Sequence, residues 1–208
     1  MMERFLQWVF PDVCLGCGSR GTLLCTHCLA GAPEYKAESP NVGACRVYIR
    51  YEYVNTIRVA LLLLKYCGKR RIAHVLADAL VPMLLHRYVA VLALPAAPQR
   101  IRQRGYDQAV LLAQAVAQKL HVTYCAGLVR TRNTTAQARL TRSQRAANVA
   151  GAFQWDGVVP QGRVLLVDDI CTTGATLREA TRILHGVGFS DIDVAVVARG
   201  KTNASRSK

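Results

Sequence analysis

The 208-residue chain lacks any run of about 18 consecutive apolar residues, the length a membrane-spanning helix needs. No transmembrane segment is expected. Met1 to Phe10 holds Glu3, a single Arg4 and no small-residue cleavage site after an apolar stretch, so it does not read as a secretory signal. A cytoplasmic location is the expectation. Acids are scarce as well: 13 Asp and Glu against 27 Lys and Arg leave a formal charge of +14. Not one acid falls between Asp107 and Asp156, where Lys119, Arg130, Arg132, Arg139, Arg142 and Arg145 all lie. Such an excess invites nucleic acid or phosphate-rich ligands, or it marks a solvated face. Hydrophobic residues are not scarce, at 51%, and the length suits one ordinary domain with a small appendage.

The most informative stretch runs from Val164 to Leu177. Val164 to Val167 is a short apolar run, as expected of a strand buried on both faces of a parallel sheet, and Asp168 and Asp169 end it. Leu177, Ala180, Leu184 and Val187 then recur at helical spacing, so the strand turns directly into a helix. Amides at that helix start, a close approach at Gly174 and the threonine hydroxyls suit a phosphomonoester. The loop has no lysine, which excludes a P-loop nucleotide site. Two adjacent carboxylates beside a phosphate cradle hold vicinal hydroxyls or hydrated Mg²⁺, which points to a sugar phosphate. A receiver domain also has a strand ending in paired acids, but only about forty residues follow these, too few for the remaining βα units. A purely structural strand-turn-helix is the other reading.

Four of the eight cysteines form two knuckles, Cys14-x-x-Cys17 and Cys25-x-x-Cys28, with Gly16, Gly18 and Gly21 allowing tight folding. Four thiolates at this spacing suit a closed, structural tetrahedral zinc site. Disulfides are disfavoured in a reducing compartment, and a redox pair needs only one knuckle. His27 is a fifth candidate ligand, less well placed than its neighbours.

Between these landmarks, Ala32 to Gly43 reads as a linker, Cys45 to Val54 as a strand, and Ile57 to Leu64 as a helix capped at Asn55 or Thr56. Gly68 stops it, with the basic cluster of residues 65–71 at its end. Ile72 to Tyr88 reads as a helix interrupted at Pro82, and Val89 to Leu94 as a buried strand. A turn bearing Arg100, Arg102 and Arg104 follows, a second anion site or a solvated loop. Asp107 then caps a helix carrying Val110, Ala113, Val116 and Leu120. Val122 to Val129 reads as a strand, Arg130 to Asn148 as a long polar functional loop, Gly151 to Trp155 and Ile192 to Ala198 as strands. No residue reads as an obvious general base.

The Val164 to Thr176 run resembles the phosphoribosyl pyrophosphate loop of type I phosphoribosyltransferases. Arg104-Gly105-Tyr106-Asp107-Gln108-Ala109 and the spaced Arg132, Thr135, Gln137, Leu140, Arg145, Asn148 and Phe153, in the same order with the cysteine knuckles, resemble the ComF (competence protein F) family. The resemblance covers about Phe10 to Val197. It departs at Cys67, where a basic residue is usual, at Asp107, where Asn is usual, and in the turn Leu94 to Ala97, which lacks a polar side chain. The resemblance implies an α/β fold, a parallel sheet flanked by helices, at residues 44–208, after a four-cysteine zinc finger and linker at 1–43. It implies structural Zn²⁺ on Cys14, Cys17, Cys25 and Cys28, and Mg²⁺ arriving with phosphoribosyl pyrophosphate. Val167, Asp168 and Asp169 are implied for the ribose, with Asp168 and Asp169 as the catalytic pair. Thr172, Thr173, Gly174, Ala175 and Thr176 are implied for the 5-phosphate, and Arg100, Arg104 and Arg132 for the diphosphate, with the polar loop as a lid.

Two functions are therefore expected to compete. One is a competence protein in DNA uptake that binds phosphoribosyl pyrophosphate, single-stranded DNA and uptake partners. The other is a Mg²⁺-dependent phosphoribosyltransferase, a glycosyltransferase acting on an unidentified acceptor.

Overall fold

A computed structural model describes residues 12–43, 45–132 and 148–200. Its centre is a five-stranded parallel sheet in the order β1-β7-β6-β2-β3. The strands are β1 (Arg46–Glu52), β2 (Ala90–Ala93), β3 (Thr123–Cys125), β6 (Val164–Cys171) and β7 (Ile192–Arg199). Parallel strands need covering on both faces, and β2 and β7 are apolar almost throughout as a result.

On one face lie α2 (Asn55–Tyr66), α3 (Ile72–Leu80) and α5 (Gln108–Leu120). They bury Ile57, Leu61, Leu64, Leu76, Leu112 and Val116 against Leu165, Val167 and Val197. On the other lies α6 (Ala175–Gly186), whose Leu177, Ala180 and Leu184 pack with Leu166, Val194 and Val196. A small antiparallel ribbon, β4 (Leu128–Arg130) with β5 (Phe153–Trp155), closes that second face.

Six readings of the sequence need correction. The helix α2 has Val54 at its cap with no side-chain bond, so neither Asn55 nor Thr56 caps it. α3 ends at Leu80; Pro82 lies in a 3₁₀ turn, Val81–Met83, from which no helix resumes. Residues 98–104 are not a turn but a short helix, α4 (Pro98–Arg104), with proline in its first turn and Gly105 (φ 75°) as its left-handed cap. The segment Val122 to Val129 is two strands in two sheets. At the break, a Cβ on Gly127 would stand 2.6 Å from the Asp156 carbonyl and 2.8 Å from the Trp155 ring. Only glycine lets the chain cross there. The acids do not end β6: pairing of Asp168 with Val196, Ile170 with Ala198 and Cys171 with Arg199 carries the strand through them.

Nor is the linker a detached tether. Tyr35 and Glu52 exchange backbone bonds with Arg50 and Pro33, so residues 33–35 run antiparallel along the outer edge of β1. The cysteine module, with its helix α1 (Thr26–Ala30), sends Leu23, Leu24 and Leu29 into the same apolar cluster as Tyr51 and Ile57. Among the described residues no helix is long and apolar enough to cross a membrane.

Candidate functional site

β2 and β6 are neighbours, yet the strand following each, β3 and β7, lies on opposite sides of the pair. This is the switch point of an open α/β sheet, where a crevice opens beyond the carboxyl ends of the strands. The loop after β6 and the segment after β2 both empty into it, and Leu94 donates to the carbonyl of Val167 to hold the two ends side by side.

Asp168 and Asp169 lie towards the carboxyl end of β6, at that switch point, in unequal settings. Asp169 is buried and its Oδ2 lies 2.6 Å from the ammonium of Lys65, at the end of α2. Burial pushes the Asp169 carboxyl up, but Lys65 outweighs it and holds the group below the usual aspartate range. Lys65 mirrors this: burial depresses it and Asp169 restores it to above its ordinary value. Asp168 is only partly buried, and its Oδ1 accepts the amide of Asp169 at 2.8 Å. Crowding by protein, with the negative charge of Asp169 next to it, holds Asp168 well above the usual range.

Past the acids, Gly174 (φ 75°) caps α6, so the loop Thr172 to Thr176 is the start of that helix. The first amides of a helix have no partners within it and suit a phosphate. The Thr173 hydroxyl accepts one of them, from Ala175, at 3.4 Å. Gly174 has a second reason to be glycine: a Cβ there would stand 3.1 Å from Pro40 of the linker, so the close approach it permits is that of the protein's own chain.

The arginines divide. Arg130, at the end of β4, feels burial first and then the like charge of Arg100, both depressing it, while Asp168 and Asp107 oppose them. Arg130 therefore feels the charges of Arg100, Asp168 and Asp107. Arg130 also lies over the Phe153 ring at 5.4 Å. Arg104 turns elsewhere, donating to Gln108 at 2.8 Å and to the Tyr66 hydroxyl at 3.1 Å. Arg132 is exposed and donates to the Ala150 carbonyl. Arg139, Arg142 and Arg145 lie outside the described residues, as does most of the expected lid.

Asp107 does more than cap α5. Its Oδ1 accepts the amide of Ala109 and its Oδ2 that of Ala96, 2.7 Å away, so it ties down the turn after β2. Lys65 and Arg130 are the site residues that reading the sequence missed. Lys65 looked like ordinary helix-end charge, and Arg130 merely opened an arginine-rich segment.

In the N-terminal module the Sγ atoms of Cys14, Cys17, Cys25 and Cys28 all lie within 4.8 Å of one another, with Cys17 to Cys25 at 3.7 Å. A tetrahedron with zinc–sulfur bonds of about 2.3 Å has edges of about 3.8 Å, so the cluster fits zinc. The Cys25 amide donates to the Cys14 sulfur and the Cys28 amide to that of Cys25. The neighbouring sulfur of Cys25, together with burial, pushes the Cys28 thiol up to about 12, as crowding of sulfurs does, and a bound cation would relieve that crowding. A Cβ on Gly16 would come within 2.6 Å of the Cys28 sulfur, so the knuckle closes only over glycine. His27 lies outside the cluster.

Residues 107–208, just under half of the chain, match the phosphoribosyl transferase domain family, and they follow a four-cysteine cluster that fits a zinc finger. The chain is similar to proteins named DNA utilization protein YhgH and to competence proteins F and ComFC. DNA utilization protein YhgH of Escherichia coli O157:H7 is 26% identical over 210 residues, 93% of this chain and 91% of that protein. Competence protein F of Haemophilus influenzae is 33% identical over 128 residues, 60% of this chain and 51% of that one. Among solved structures, glutamine phosphoribosylpyrophosphate amidotransferase from B. subtilis superposes with a TM-score of 0.46 at 19% identity, over 65% of this chain and 30% of that one.

Proposed function

We propose that the protein acts in DNA uptake, binding phosphoribosyl pyrophosphate at the crevice between β2 and β6 and single-stranded DNA through its basic surface. The observation that carries the sugar-phosphate reading is the acid pair standing at the switch point directly before a helix start. In this reading Asp168 and Asp169 serve the ribose beyond Val167, and Thr172, Thr173, Gly174, Ala175 and Thr176 serve the 5-phosphate. Mg²⁺ arrives with the diphosphate and neutralises part of its charge. Residues 1–43 form a zinc-bearing module and residues 44–208 the ligand-binding domain. The setting is cytoplasmic.

DNA uptake is supported by the competence-protein relatives. DNA binding is supported by the charge of +14 and by the acid-free stretch between Asp107 and Asp156. Its test is affinity for a single-stranded oligonucleotide against salt. Arg139→Ala and Arg142→Ala each lower the salt slope by about 1. An affinity indifferent to salt and to both changes defeats the arginine-loop reading.

A transferase is the second reading, and a half-buried Arg130 that feels the charge of Asp168 favours it. Departure of diphosphate from C1 builds negative charge, and preplaced guanidiniums stabilise that charge. Arg104 and Arg132 contribute only if they leave their present partners. Diphosphate release with candidate nitrogen acceptors, abolished in Asp168→Ala, establishes an enzyme. Tight binding without turnover leaves a ligand-gated binding protein.

A further inference from the structure

Of the basic cluster that follows Leu64, only Lys65 lies in the last turn of α2, where a helix end favours a cation. Lys69, Arg70 and Arg71 lie beyond it, and all three are exposed. Arg71 pairs with Asp12. Acids are otherwise scarce here: the sequence has none between Glu52 and Asp78 or between Asp78 and Asp107, a span that includes the cluster and α4 with its exposed Arg100 and Arg102.

Two stacks stand in this patch. Tyr66 is 66% exposed, yet its ring is held: Arg104 lies over it at 4.7 Å, donates to its hydroxyl at 3.1 Å and is itself fixed to Gln108 at 2.8 Å. Arg70 in turn lies over the Tyr106 ring at 4.7 Å, and the Tyr106 hydroxyl donates to the carbonyl of Leu64. Residues 66–70, turned at Gly68 (φ 67°), thus sit against residues 104–106. Each stack offers a planar group backed by protein on one side and open to solvent on the other, the ring of Tyr66 and the guanidinium of Arg70.

We infer that a single strand of DNA binds on this patch, with one base stacked on Tyr66, another on Arg70, and its phosphates meeting Lys69 and Arg102. The inference rests on the single-stranded DNA reading above and gives it a surface other than the segment of Arg139 and Arg142. Unpaired bases stack on aromatic rings and on guanidinium planes, whereas a duplex keeps its base faces inside. Rings already held in place lose little freedom when a base arrives.

Fluorescence anisotropy of labelled oligo(dT) with the full chain, read across a salt series beside a duplex of the same length, tests this, each variant first checked by thermal melting. Tyr66→Ala weakens oligo(dT) binding by at least about fivefold, the low end of what one base–aromatic stack is worth, and leaves the salt slope unchanged. Tyr66→Phe keeps the ring and stays within about twofold of the parent. Arg70→Lys keeps the charge and loses the plane, so affinity falls by a similar factor to Tyr66→Ala at the same slope. Lys69→Ala lowers the slope by about 1, and Arg87→Ala, just before β2 at the amino end of the sheet, does not. Where Tyr66→Ala does not fold, Arg70→Lys decides alone. Smaller losses in Tyr66→Ala or Arg70→Lys, a Tyr66→Phe loss equal to that of Tyr66→Ala, equal slopes in Lys69→Ala and Arg87→Ala, or a duplex equally weakened by Tyr66→Ala each overturn this inference alone while the parent binds. If the parent binds no oligo(dT), the single-stranded DNA reading falls and the inference with it.

Discussion

Arg178, one turn into α6, reaches back to the carbonyl of Asn41 at 2.7 Å and to that of Thr173 at 3.3 Å. One guanidinium thereby joins the linker that follows the cysteine module to the loop that follows β6. Thr181 adds a bond to the Val42 carbonyl, and Pro40 fills the open side of Gly174. Arg178→Ala should free the linker: amide exchange across residues 38–43 rises. Stability falls by about 1 kcal/mol, the net worth of one such hydrogen bond. Unchanged exchange there would show that the contact does not hold the linker.

Asp107 joins two site elements, and its burial raises its pKa despite the amides of Ala96 and Ala109 that favour its charge. Asp107→Ala removes a helix cap and leaves a buried amide unpaired, so it should cost about 2 kcal/mol in a denaturant titration. Asp107→Asn keeps one acceptor oxygen and should cost less than half as much. Equal losses would place the effect in charge instead of in hydrogen bonding.

Asp168 should cost stability in the resting protein. Its folded-state pKa lies above the unfolded value, so the folded state holds the proton more tightly. The resulting stabilisation is full below the aspartate range and is lost as pH rises from there through the raised folded value. Asp169 has the opposite sign, with stability present above the ordinary aspartate range and lost as pH falls through its lowered value. Asp168→Asn should therefore raise Tm at neutral pH by a few degrees. That corresponds to on the order of 1 kcal/mol once partial exposure is allowed for. A lowered Tm at neutral pH would contradict the assignment.

Zinc should be structural throughout. Elemental analysis should find one zinc per chain, lost in Cys28→Ser. A strong chelator should lower Tm for the whole protein, because Leu23, Leu24 and Leu29 belong to the apolar cluster that α2 also builds. Melting indifferent to chelation would separate the cluster from the fold.

The parts legible in the sequence were those with local causes. Val164 to Val167 had to be a buried strand, Asp107 had to cap, and two knuckles had to converge, because spacing alone enforces each. What escaped depended on distant neighbours. β6 continues through its acids because β7 pairs with them, and Val122 to Val129 breaks because Trp155, 28 residues beyond Gly127, occupies the space a side chain would need. Lys65 and Asp169 are 104 residues apart, and no local pattern ties them. The helix α4 was a different kind of miss. Pro98 at its start and Gly105 at its end are local helix signals, and the arginines between them fit a helix as well as a turn.

The most direct test of the central claim is calorimetry of the full chain with phosphoribosyl pyrophosphate and Mg²⁺. The account predicts saturable binding to one site per chain, lost in Asp168→Ala. Absence of binding heat in the parent protein, with ribose 5-phosphate equally silent, would contradict it.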